Sequence, residues 1–72
     1  MRTFAVSYIN WFDHELDTQF IQAENEIEAA CQRLLGAGYE LDQEAFLTLE
    51  DVKHFAFDCD SMVHAVELPS AV

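Results

Sequence analysis

Basic residues are scarce in this sequence: Lys and Arg total 3 against 14 Asp and Glu, a formal net charge of −11. A chain so poor in cations has no basic face with which to hold phosphates, which argues against direct binding of DNA, RNA or anionic lipid. Glycine and proline are also rare, at 2 and 1. Two glycines cannot supply a phosphate-cradling loop, and no glycine-rich elbow is present to expose a nucleophile. Cysteine is limited to Cys31 and Cys59, too few for a disulfide framework, and the two are expected to stay reduced. No apolar run approaches the roughly 20 residues of a membrane span. The opening Met1 to Val6 soon turns polar and lacks the apolar core of a signal peptide, so the expected compartment is the cytoplasm.

What the chain has in quantity is acid and apolar surface. With 51% of its 72 residues apolar, a single small domain is expected, and a body of this size hides only about 60% of its unfolded surface. Some apolar surface is therefore expected to meet a partner or a second copy. The one-signed charge destabilises a compact fold by self-repulsion, and it suits a partner whose own surface is basic.

The strongest local pattern runs from Asn25 to Gly36. Ile27, Ala30, Cys31, Leu34 and Leu35 are spaced as one apolar helix stripe. Asn25 and Glu28 form a capping-box pair, acids load the first turn, Arg33 sits near the end, and Gly36 is positioned to stop the helix. Before it, residues 2–11 and 16–23 alternate as two strands around a turn at residues 12–15. With Asp13 and His14 as the loop, Phe4 is expected opposite Ala23 and Val6 opposite Ile21. Phe4, Val6, Tyr8, Ile21 and Ala23 then lie under the helix, and Ile9, Trp11, Leu16 and Phe20 share the other face. After the helix, Asp42 is expected to cap a short turn. Thr48 with Asp51 caps a second helix bearing Leu49, Val52, Phe55 and Ala56, and residues 62–68 form a third strand ended by Pro69. The expected fold is α+β: one three-stranded antiparallel sheet in β-β-α-α-β order with two helices packed on one face.

Candidate chemistry is thin. His14, His54, His64, Cys31 and Cys59 do not pair at the close spacings of zinc ligands; Cys59 and His64 are the nearest to such a pair. Asp58 and Asp60 make an Asp-x-Asp without the rest of a calcium loop, and a solvated turn is the simpler reading. Cys59, Asp60 and His64 include the residue types of a nucleophilic set, but no oxyanion loop accompanies them. No metal or cofactor is expected, and no enzymatic activity.

The opening M-R-T-F-A-V-S-Y-I-N-W-F-D, the passage F-I-Q-A-E-N-E-I-E-A-A and the surplus of Asp and Glu resemble the small acidic proteins of bacteriophages and other mobile elements. Many members of that group inhibit host defence, as anti-restriction and anti-CRISPR proteins do, and some act as DNA mimics. The resemblance implies an acidic protein that binds the basic surface of a nucleic-acid-handling host protein. It rests on no signature motif, so no functional residue is transferred by position.

The residues themselves offer two acidic patches for such a role. One combines Trp11 with Asp13, Glu15 and Asp17, an aromatic anchor ringed by charge. The other comprises Glu50, Asp51, Asp58 and Asp60. The competing expectation is a general interaction module or homodimer that mates through Ile9, Trp11, Leu16 and Phe20.

Overall fold

A computed structural model describes residues 1–12 and 16–69. The expected α+β order is present: β1 (Arg2–Asn10), β2 (Asp17–Ala23), α1 (Glu26–Gly36), a 3₁₀ turn (Gln43–Ala45), α2 (Leu49–Asp58) and β3 (Ser61–Glu67). The three strands form one antiparallel sheet in the order β2-β1-β3. The long first strand is thus central, and the last strand returns to its far side. The expected loop at Asp13 and His14 lies outside the described residues.

The strand faces are as the alternation implies, but the register is not. Phe4 pairs with Ile21 and Val6 with Gln19, two residues away from the expected partners. A slide of two residues keeps every side chain on its original face, so alternation alone does not detect it. The observed register sets the Ser7 and Thr18 hydroxyls 3.0 Å apart across the strands. It also brings the Asp17 carboxylate to the Arg33 guanidinium on α1 at 2.9 Å.

Helix α1 starts directly after the extended N-cap Asn25, whose side chain accepts the Glu28 backbone N–H at 2.8 Å. The Glu28 carboxylate bonds one residue earlier than a capping box requires, to the Glu24 N–H at 3.0 Å. The helix end also differs from expectation. Gly38, not Gly36, takes the left-handed conformation, at φ 98°. The Gly38 N–H donates to the Leu35 carbonyl and the Tyr39 N–H to the Leu34 carbonyl, both at 3.1 Å, the Schellman pattern. Gly36 remains in the last helical turn, and the chain exits so that Tyr39 returns to the core. Helix α2 begins with a complete capping box, Thr48 with Asp51, as expected.

The core consists of Phe4, Val6, Tyr8 and Ala23 from β1 and β2, Val63 and Ala65 from β3, and the inner stripes of both helices. Ala29, Ala30 and Cys31 are fully buried, and their small side chains let α1 lie close across all three strands. Leu34 is buried but Leu35 is half exposed, so the stripe is narrower than its sequence spacing suggests. Each fully buried Phe, Leu or Val contributes about 1.5–3 kcal/mol through removal from water. Burial pushes the Cys31 thiol above its usual range, which keeps it protonated and inert. Helix α2 packs on β3 and α1, and the buried Ser61 hydroxyl donates to the Ala56 carbonyl at 2.9 Å, tying the helix end to the strand.

Three edge-to-face ring contacts secure the long connection between the helices. Tyr39 meets Tyr8 at 6.1 Å and Phe55 at 6.4 Å, and Phe46 meets Phe55 at 5.6 Å. The Tyr8 and Tyr39 hydroxyls lie 2.8 Å apart. Burial and this hydrogen bond raise the Tyr8 pKa above its ordinary value.

Candidate surface for partner binding

Charge is divided unevenly between the two layers. Of the described carboxylates only Asp17 and Glu67 belong to strands; the rest lie on the helices and the connections around them. The outward face of the sheet carries Thr3, Ala5, Ser7 and Ile9 from β1, Thr18, Phe20 and Gln22 from β2, and Met62, His64 and Val66 from β3. None of these is acidic, and none is Lys or Arg. Most of the described acid therefore lies in the helical layer, while the outward strand face carries no carboxylate, Lys or Arg.

All three cationic side chains are occupied. Arg2 binds Glu67, Arg33 binds Asp17, and Lys53 lies 3.6 Å from Glu50. The Arg2 guanidinium holds the Glu67 carboxyl below its usual range, first through the hydrogen bond and then through charge. Arg33 also stacks over the Tyr8 ring at 4.5 Å, a cation–π contact on a nearly buried guanidinium.

Of the two expected patches, the described residues place Trp11, Asp17, Glu50, Asp51, Asp58 and Asp60. Asp13 and Glu15 lie outside the described residues. Asp17 pairs with Tyr8 on the helix-covered side of the sheet and is committed to Arg33. Asp51 accepts the Leu47 and Thr48 backbone N–H groups at 3.0 and 3.2 Å and serves as a cap. Trp11, by contrast, meets the second group: its backbone N–H donates to the Asp60 carbonyl at 2.9 Å. This bond fixes the end of β1 to the α2–β3 turn, so Trp11, Asp58 and Asp60 share one corner. Asp60 holds that turn with a left-handed backbone, φ 60°, a conformation Asp tolerates better than most residues.

Beside this corner lies an open groove of about 560 Å³, lined by Ile9, Leu16, Phe57, Met62 and His64 among others. Glu50, Lys53 and His54 of α2 contribute to its lining, because the helix overhangs the β3 edge. The expected set of Ile9, Trp11, Leu16 and Phe20 thus extends to residues that the sequence offered no reason to add, Met62 and Val66 of β3 and Phe57 of α2. Phe20 is 72% exposed, Leu16 69%, Met62 51% and Val66 50%. A row of large apolar side chains this exposed is unusual for an isolated soluble surface.

The described residues contain no group of three His, Cys, Asp or Glu side chains placed to hold a metal ion. His54 and His64 both line the groove, but Cys31 lies in the core. Among the described residues no helix is long and apolar enough to cross a membrane. The surface offers shape, charge and apolar area. Comparison of the chain with protein-family models, with curated proteins and with solved structures finds no match.

Proposed function

We propose that this protein is a non-enzymatic inhibitor that occupies the basic surface of a nucleic-acid-handling host protein, of the CRISPR-effector or restriction class. The observation that carries this reading is the collection of unopposed carboxylates on the helical layer while every cation is paired. Glu24, Glu26, Glu40, Glu44, Asp58 and Asp60 have no ion-pair partner among the described residues. Such a layer repels nucleic acid and attracts a groove of Lys and Arg, with association accelerated by the long-range field. Trp11 beside Asp58 and Asp60 supplies the aromatic anchor that a charged rim alone lacks. The expected site on the folded chain is therefore the Trp11–Asp60 corner with Glu50, rather than Asp17 or Asp51.

The test is salt-dependent capture of a host protein. Affinity is expected to fall steeply between about 50 and 500 mM salt, because exposed charges are screened over a Debye length of about 10 Å or less. Duplex DNA is expected to compete for the same target surface. Retention of full binding by a chain carrying Glu50→Lys, Asp58→Lys and Asp60→Lys would refute the reading.

A second reading, an interaction module unrelated to nucleic acid, is favoured by the exposed apolar side chains of the sheet face. Binding by that route is expected to be indifferent to salt and sensitive to Phe20→Glu.

A further inference from the structure

We infer that the uncharged face of the sheet is a homodimer interface, in which two copies of this chain stack sheet against sheet about a two-fold axis. The inference concerns the outward strand face and its groove, which meets the acidic layer only at Glu50, and it stands whether or not the Trp11–Asp60 corner binds a host protein.

The first argument is electrostatic. Each copy carries −11, so any contact involving the helical layer brings like charges together, and like-charge juxtaposition across an interface costs several kcal/mol. The outward sheet face has no carboxylate on its strands, and the acid that lines the adjoining groove, Glu50, is paired with Lys53 at 3.6 Å. Stacked there, the two acidic layers point away from each other with both sheets between them. Sheets pack about 10 Å apart, so the layers behind them stand farther apart than the Debye length of about 8 Å at physiological salt. A second copy is thus admitted by this face and refused by the others.

The second argument is shape. A two-fold interface must be self-complementary: where residue i of one copy contacts residue j of the other, residue j of the first contacts residue i of the second. On this face the pairs Ala5–Phe20 and Ala5–Val66 mark one end, while the Ile9–Met62 pair and the groove lie at the other. The exposed Phe20 ring is a projection and the groove is a recess. A two-fold axis lying between the sheets, near the central Ser7–Thr18–His64 row, carries each Phe20 toward the other copy's recess. Ser7, Thr18 and His64 then meet across the axis, where their polar atoms can pair.

Size is also adequate. A standard interface covers about 800 Å² on each partner, roughly one-sixth of the 4850 Å² surface of this chain. The molecule extends 39 × 27 Å along its two longer axes, enough to provide that area.

Sedimentation equilibrium on the whole chain, over a concentration series, tests the inference. The expected result is a monomer–dimer equilibrium that high salt leaves unchanged or tightens. Phe20→Glu and Met62→Lys, both at exposed positions, are expected to weaken it at least about 30-fold, the loss typical of a central interface residue. Leu35→Lys, at an equally exposed position on α1, is expected to leave it unchanged. Circular dichroism establishes that each variant is folded; if Phe20→Glu is not, Val66→Glu at the same end of the face serves in its place. A chain monomeric at all concentrations would overturn the inference, including one that meets only a foreign partner through this face. A dimer indifferent to both face substitutions, or broken by Leu35→Lys, would overturn it equally.

Discussion

Two adjacent leucines in α1 offer a sharp test of how the helix sits on the sheet. Leu34 is fully buried and Leu35 is half exposed, although both belong to one apolar stripe in the sequence. Leu34→Ala removes three carbons from the core, worth about 2.4 kcal/mol at about 0.8 kcal/mol per methylene. The cavity adds to this, for a total of about 3–4 kcal/mol. Leu35→Ala loses about half the transfer energy, leaves no cavity and gains slightly in helix propensity, for a cost of about 1 kcal/mol or less. A 72-residue domain has roughly 4–11 kcal/mol of stability in total, so the first change removes a large share. Urea unfolding followed by circular dichroism measures both. With a slope of about 1 kcal/mol per molar, the two midpoints are expected to differ by about 2 M or more, with Leu34→Ala the lower. Equal midpoints, or the reverse order, would mean that α1 is rotated about its axis and that the core described above is wrong.

Three further perturbations address local features. Thr48→Ala breaks the capping box of α2 and is expected to cost about 1 kcal/mol in the same urea assay. Asp60→Val places a β-branched residue at φ 60° and is expected to cost about 1–2 kcal/mol, whereas Asp60→Gly is expected to be neutral or stabilising. The Glu67 carboxyl, held down by Arg2, is expected to titrate below its ordinary value of 4.5 by NMR, and to return toward that value in Arg2→Gln. Because the folded-state pKa is the depressed one, the pair's stabilisation is present above the unfolded value and is lost as pH falls through the folded value. The stability gap between the native chain and Arg2→Gln is therefore expected to be full near neutrality and to close in acid.

Local signals carried much of this architecture. Asn25, Asp42 and Thr48 cap where the sequence places them, because a cap needs only its own side chain and an N–H two or three residues on. Strand faces were equally legible from alternation. The register was not, since a slide of two residues preserves every face and is settled by distant partners such as Asp17 with Arg33. Gly36 was expected to stop α1, but the left-handed residue is Gly38, because Tyr39 returns to Tyr8 and Phe55 and so sets the exit.

The surface was legible only in part. Composition gave the net charge but not its division between layers, which arises when residues 24–28, 40–44 and 50–60 gather on one side of the sheet. The pairing of Trp11 with Asp60 joins chain positions nearly fifty residues apart, and no spacing rule anticipates it. Asp17 and Asp51 resembled their neighbours in sequence, yet an ion pair and a cap commit them to the fold.

The position of Trp11 has an experimental use. It is the only indole in the chain, it is 39% exposed, and its backbone is bonded to the Asp60 turn at the acidic corner. A molecule that covers this corner removes water from that ring, so its emission is expected to shift to the blue without a label being attached. The protein thus carries its own optical reporter of occupancy at this corner, read by a single fluorescence titration.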